Sequence, residues 1–196
     1  MKLYLSARSP FARRVRLALL RLGVPFELSE LNVFQPPAEF FSDAPLGLVP
    51  VLKFDDGQVL SDSDTLLEYL HENYGQKIWS ADLKTRFHER LIATYAAGLM
   101  TSSVAYFLES QHAKPEADWM DEHYAAIQRT LKRLEAEHLP PSGTLTQPHW
   151  DIGVGLEYLD LRLSKVGWRE TCPGLVKTLD SCRKDPDFVK TTPPPV

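Results

Sequence analysis

Apolar positions recur with one period early in the chain and another later. Up to Tyr74-Gly75-Gln76, short runs alternating every second residue are interleaved with helical stretches; after it only the helical period continues. Lys2-Leu3-Tyr4-Leu5-Ser6 predicts a short strand that stops at a loop containing Ala7, Arg8 and Ser9. A helix follows, with Ser9 suited to the N-cap and Pro10 to the first position. Phe11, Val15, Ala18, Leu19 and Leu22 form its apolar stripe, which ends at Gly23, and Arg13, Arg14, Arg16 and Arg21 decorate the rest. Residues 26–31 predict a second strand, and Gln35-Pro36-Pro37 opens an irregular loop. Val49, Val51, Leu52 and Phe54 read as a buried strand, Asp55-Asp56-Gly57 as a hairpin turn, and Ser61 to Ser63 as the opening of a helix running to Leu70. The predicted order is strand, helix, strand, loop or short helix, strand, strand, helix.

The second half reads as helices alone. Residues 84–110 predict one long helix with Phe87, Leu91, Tyr95, Gly98 and Leu99 on one face. Residues 117–138 predict another, with Tyr124, Ile127, Leu131 and Leu134 buried and Pro140-Pro141-Ser142-Gly143 as its stop. Residues 151–166 are apolar nearly all round, which marks a central buried helix, and Gly153 and Gly155 allow close helix approach. A last helix covers 174–184, and Pro193-Pro194-Pro195 is an unstructured tail. The change of period divides the chain into a first domain over 1–75 and an all-helical second domain over 83–196.

One position resists this pattern. Pro50 has no N–H for a ladder and is excluded from a central strand, yet it sits inside an apolar strand-like run. A cis peptide bond before Pro50 is one resolution: it turns the Val49 backbone outward, where it pairs with something other than protein.

Composition narrows the function. The chain has 196 residues, 43% of them apolar, and a formal net charge of -4. That is ordinary for a globular protein, and the pI near 5.9 together with the absence of a Lys/Arg block argues against nucleic-acid binding. The apolar run after Met1-Lys2 is too short for a signal peptide, and no stretch reads as long enough to span a membrane. Cys172 and Cys182 are too few for a disulfide framework and carry no metal-site spacing, which places the chain in the cytoplasm with reduced thiols. His71, His88, His112, His123, His138 and His149 show no paired spacing, so no metal is expected. Neither a phosphate loop nor a nucleophile elbow occurs.

Several pieces together resemble a glutathione S-transferase: Ser9-Pro10-Phe11 after the first strand, Val49-Pro50-Val51-Leu52, Asp62-Ser63 opening a helix through Glu68-Tyr69-Leu70, an all-helical second half, and the closing Pro186-Asp187-Phe188 with its proline tail. The resemblance spans almost the whole chain. It implies a thioredoxin-like α/β domain with a cis proline followed by a helical bundle, usually as a homodimer, and an enzyme that joins glutathione, as co-substrate, to a small electrophile in detoxification.

The implied site can be stated residue by residue. Ser9 is an N-cap by pattern; the resemblance implies that its hydroxyl also stabilises the glutathione thiolate at the helix terminus. Val49 and Pro50 read as a strand start; the resemblance implies that the Val49 N–H and C=O pair with the cysteinyl backbone of glutathione. Asp62 and Ser63 are either capping residues or, as the resemblance implies, the partners of the γ-glutamyl ammonium and carboxylate. Phe11 is either core or a wall of the electrophile pocket, and Met100, Ser103, Tyr106 and Phe107 divide the same way between pocket and core or dimer contact. Arg8 and Arg13 either attract an anionic ligand or are solvated helix arginines.

Departures from the family keep a second reading open, a binding or scaffold protein that does not turn over. Leu48 stands where many relatives carry Lys or Gln. A Ser/Thr-x-x-Asp cap is replaced by Pro148-His149-Trp150-Asp151, where Asp151 lacks its reciprocal partner. Ser9-Pro10-Phe11-Ala12 in place of Cys-x-x-Cys excludes a dithiol couple and disfavours deglutathionylation.

Overall fold

The computed structural model describes residues 1–137 and 145–195. It divides into two compact units, one of Met1–Ala81 with Pro186–Pro194 and the other built on Asp82–Asp185. The predicted stop at Pro140-Pro141-Ser142-Gly143, and His138 before it, lie outside the described residues.

The first unit runs β1 (Lys2–Leu5), α1 (Pro10–Leu22), β2 (Glu27–Glu30), α2 (Phe40–Asp43), β3 (Val51–Lys53), β4 (Val59–Ser61) and α3 (Ser63–Asn73). Its sheet has the order β2-β1-β3-β4, with β1 parallel to β2 across the α1 crossover and the other pairs antiparallel. Leu3 and Leu5 alternate into the core from β1, whereas Val51 and Leu52 are both buried, as in a central strand covered on both faces. The strand begins after Pro50, not at Val49, so the missing proline N–H falls outside the ladder, and the Val49–Pro50 peptide is cis. α1 is capped at both ends: the Ala12 N–H donates to Ser9 Oγ at 3.2 Å, and Gly23, at φ 67°, closes the last turn with bonds to Leu19 and Leu20 carbonyls. Asp43 of α2 accepts from the Tyr4 hydroxyl at 3.1 Å and from Lys53 Nζ at 2.8 Å, tying α2 to two strands. That lysine holds the Asp43 carboxyl below its usual range.

The second unit contains α4 (Leu83–Ser110), α5 (Ala117–Ala136), α6 (Gln147–Arg162), a 3-10 turn at Ser164–Val166, α7 (Trp168–Thr171) and α8 (Pro173–Cys182). Each of residues 147–159 in α6 is buried, which makes it the central helix, and α4 and α8 pack against it. This is a thioredoxin-like α/β domain plus a helical domain, as the pattern and the resemblance predict.

Four details correct the pattern. In α4 the buried face is Ile92, Ala93, Ala96, Leu99, Met100 and Ser103, while Phe87 is 66% and Leu91 41% exposed, so the stripe predicted through them is the outer one. Tyr124 is likewise exposed, leaving Ile127, Leu131 and Leu134 as the core of α5. α4 is long and apolar enough to cross a membrane by length and composition, contrary to the sequence reading; here its buried face packs on α5 and α6. Finally, α6 starts four residues early: Thr146 is its N-cap, and the Thr146 N–H donates to His149 Nδ1 at 3.1 Å in a reciprocal box, while Asp151 accepts from Gln147 Nε2. The box is thus formed by Thr146 and His149, and Asp151 has no part in it.

Residues 186–190, which the sequence reading includes in the second domain without a helix of their own, form a last helix, α9 (Pro186–Lys190), that clusters with the first unit. Arg13 explains why. It is buried, not solvated: its guanidinium lies 4.3 Å from the Phe188 ring centroid and donates to the Phe188 carbonyl and the Thr191 hydroxyl.

Within the helical unit, Glu135 of α5 caps α8 from outside, accepting the Gly174 and Leu175 N–H groups at 2.8 and 2.9 Å. A Cβ on Gly174 would fall 2.9 Å from Glu135 Oε1. Glu135→Ala and Gly174→Ala are each expected to lower stability by about 1–2 kcal/mol. The losses should be non-additive in the double variant, because both remove the same contact. Urea denaturation of the four proteins checks this, and additive losses would contradict the shared cap.

Candidate functional site

Strand register brings the three sequence-predicted segments to one edge. β1 and β3 are antiparallel with Tyr4 opposite Val51, and β3 and β4 are antiparallel with Val51 opposite Ser61. Continued by two residues, those registers set Val49 between Ser6 and the turn that begins α3 at Ser63. With neighbouring strands about 4.8 Å apart, the three chain ends fall within about 10 Å across the sheet. The N-terminus of α1 follows Ser9, and that of α3 follows Asp62, so two helix starts rise from the same edge. Each presents N–H groups and the positive end of its dipole.

Ser9 is half-buried and extended, at φ -75° and ψ 120°. Its Oγ accepts from Ala12 N–H, which leaves the hydroxyl proton to donate elsewhere. Val49 is half-buried, its side chain packed on the cluster of Phe40, Ala44 and Val51. Among the described residues its main-chain N–H and C=O bond no other protein group. A strand end with both groups unpaired is a template for another extended chain.

Asp62 has φ 74° and ψ 131°, a region that residues other than glycine rarely occupy. Its carboxylate accepts from the Asp64 and Thr65 N–H groups at 2.9 and 3.1 Å. Those two N–H groups are therefore taken by the cap. Ser63 is buried, and its Oγ accepts from Arg14 Nη1 at 3.2 Å. Arg14 was read as surface decoration; it is fully buried in α1 and also pairs with Asp64 at 2.7 Å. The signal was present, since Arg14 lies three and four residues before Leu17 and Ala18 on the buried face of the same helix.

The remaining predicted residues separate. Phe11 is half-buried, two positions past Ser9 on α1. Leu48 is 67% exposed beside Val49. Arg8 is exposed next to Ser9, with its Nε 3.5 Å from the Pro194 carbonyl. Arg13 is committed to the C-terminal segment and does not face this edge. Among the described residues no group of three or more metal-ligating side chains occurs.

A parallel-and-antiparallel sheet whose edge joins a helix-capping serine, a cis-proline strand start and a second helix terminus is that of a thioredoxin-like domain. Residues 3–77 match the family described as Glutathione S-transferase, N-terminal domain. The chain is 30% identical over 205 residues to the GST-like protein YibF of Escherichia coli (strain K12), covering 99% of both. It is 31% identical over 147 residues to maleylacetoacetate isomerase of Pseudomonas aeruginosa, covering 67% of this chain and 69% of that one. Among solved structures, a glutathione transferase family member from Pseudomonas fluorescens Pf-5 with bound glutathione superposes with a TM-score of 0.89 at 30% identity, covering 98% of each chain. A glutathione S-transferase from Methylobacterium radiotolerans, in complex with glutathione sulfonate, gives 0.91 at 25% identity, covering 98% of this chain and 94% of that one. The chain belongs to the glutathione S-transferase family.

The cap and the backbone at Asp62 make separate, testable contributions. Asp62→Asn keeps the acceptor and tolerates positive φ, Asp62→Gly relieves the backbone but loses the acceptor, and Asp62→Ala does neither. Stability measured by thermal denaturation is expected to be highest for wild type and Asn and lowest for Ala, by about 1–2 kcal/mol. An alanine variant as stable as wild type would contradict the assignment.

Proposed function

We propose that the protein is a glutathione transferase in which Ser9 stabilises the thiolate of bound glutathione for attack on a small electrophile. The observation that carries this reading is the unpaired Val49 main chain, set by register between Ser6, three residues before Ser9, and the start of α3. The cysteinyl residue of the tripeptide pairs with the Val49 N–H and C=O as an added strand. The γ-glutamyl carboxylate sits at the Ser63 N–H and hydroxyl, with the α3 dipole behind it, and the ammonium meets Asp62. Pro50 shapes the turn and Phe11 walls the electrophile. Two structures of similar proteins hold glutathione or its sulfonate, which supports the same ligand here.

The catalytic task is ionisation. A free thiol with a pKa near ~8.5 is only slightly ionised at neutral pH. The Ser9 O–H donates to the sulfur anion while its oxygen stays fixed by Ala12 N–H, and the α1 terminus favours the negative charge. Attack on the electrophile then forms the carbon–sulfur bond, and the leaving group departs with the electron pair. The exposed stripe of Leu83, Phe87 and Leu91 on α4 fits a second copy of the chain, so the working form is a homodimer. The site of action is the cytoplasm.

Ser9→Ala removes one charge-assisted hydrogen bond, so the pKa of the bound thiol should rise by about 1–2 units and turnover of an aryl halide near neutral pH should fall about 10- to 100-fold. Thiolate absorbance against pH, with glutathione bound, reads this directly. An unchanged thiol pKa would remove Ser9 from the role. Retention of wild type on a glutathione column without turnover would favour the binding-protein reading, in which exposed Leu48 supplies no polar contact.

A further inference from the structure

The open main chain at Val49 belongs to a loop that one ion pair closes. Lys53 Nζ lies 2.9 and 2.8 Å from the two carboxylate oxygens of Asp43, a residue ten positions earlier in the chain, and Val49 lies between them. The Tyr4 hydroxyl donates to the same carboxylate at 3.1 Å, and the Tyr4 ring meets Phe40 edge to face, with centroids 5.6 Å apart. Register explains how these groups meet. Tyr4 stands opposite Val51, and side chains two apart on a strand share a face, so Tyr4, Val51 and Lys53 all point toward α2.

α2 needs an outside anchor. A helix of four residues does not hold itself in water. Glu39 gives it no side-chain cap, and Phe40 is its one buried residue. Phe40 and the following Ala44 nevertheless form, with Val51, the cluster on which the Val49 side chain packs. The place of that seat therefore depends on Asp43, whose carboxylate ties α2 to β1 through Tyr4 and to β3 through Lys53. That carboxylate is mostly covered, so the pair is shielded from water more than a surface ion pair is. Inside the closed loop the Gly47 N–H donates to the Ala44 carbonyl at 2.8 Å, which continues the ordered chain from α2 toward Val49.

We propose that Asp43, through its ion pair with Lys53, is a positioning residue for the tripeptide: it seats α2 so that the Val49 N–H and C=O are in place before the ligand arrives. This role rests on the glutathione reading. Asp43 acts through Val49 and lowers the ordering cost of binding, so it sets affinity and leaves the chemistry of the bound thiol alone.

Two measurements test this, the first without any ligand. In Asp43→Asn, which keeps the shape of the side chain and drops its charge, the Ala44 and Gly47 amides should exchange with solvent at least about tenfold faster, with the amides of α1 unchanged. Unchanged exchange at Ala44 and Gly47 overturns the proposal. In the second, calorimetric titration with S-methyl-glutathione should show binding weakened about 3- to 10-fold in Asp43→Asn and in Lys53→Met, and no further in the double variant. Lys53 is the more exposed member of the pair, so Lys53→Met carries the test if Asp43→Asn does not fold. With an aryl halide as second substrate, KM for glutathione should rise by the same factor while kcat stays within about twofold. Wild-type affinity in both single variants, additive losses in the double variant, or a fall in kcat with KM unmoved overturns the proposal. Affinity that weakens as expected in a protein without turnover supports the positioning role and sinks the transferase reading alone. Wild type that does not bind S-methyl-glutathione overturns the glutathione reading and this role with it.

Discussion

The candidate site depends on one constraint, the pairing of β3 between β1 and β4. Because both pairings are antiparallel and their registers meet at Val51, the end of β1, the start of β3 and the end of β4 must share one edge of the sheet. Slipping either register by one residue would exchange the faces on which Val51 and Leu52 pack and undo the contacts on both, so core packing enforces the alignment that the site uses. Burial of apolar surface thus does positional work for chemistry. The hydrophobic cluster of Phe40, Ala44 and Val51 holds the Val49 side chain, and the same strand end leaves the Val49 main chain open.

A second constraint joins the two helix starts. Arg14 reaches from α1 to Ser63 and Asp64 at the beginning of α3, so the helix that carries Ser9 at its cap and the helix that carries Ser63 at its first position are fixed to each other. Asp64 offsets a cation that would otherwise sit badly at the positive end of α3. At the other side of α1, Arg13 secures the C-terminal segment through Phe188 and Thr191. Adjacent arginines on one helix thereby anchor two different parts of the first unit.

Much of this was legible in the residues. The strand and helix order followed from period and turn chemistry, and the conflict at Pro50 pointed to the backbone feature found there. Charge misled the reading of α1, because arginine was assigned to solvent by type while its helical spacing placed Arg14 among apolar residues. In α4 the period was right and the face wrong. A helix of 28 residues carries two apolar stripes, and spacing alone does not say which one the rest of the chain covers. The cap of α6 lies at Thr146, two residues before the Pro148-His149-Trp150-Asp151 stretch that the Ser/Thr-x-x-Asp pattern singles out, and a histidine nitrogen there accepts the N–H that a carboxylate usually takes.

The central claim is that an open main chain at Val49, between two helix starts, grips a tripeptide. Amide NMR during titration with S-methyl-glutathione, which cannot ionise at sulfur, tests it most directly. The account predicts saturable shifts concentrated at Val49, at Ser63 to Thr65 and at Ser9 to Ala12, with the Val49 amide becoming protected from hydrogen exchange. Saturable shifts that leave Val49 and Ser63 untouched, or no saturation at all, would contradict it.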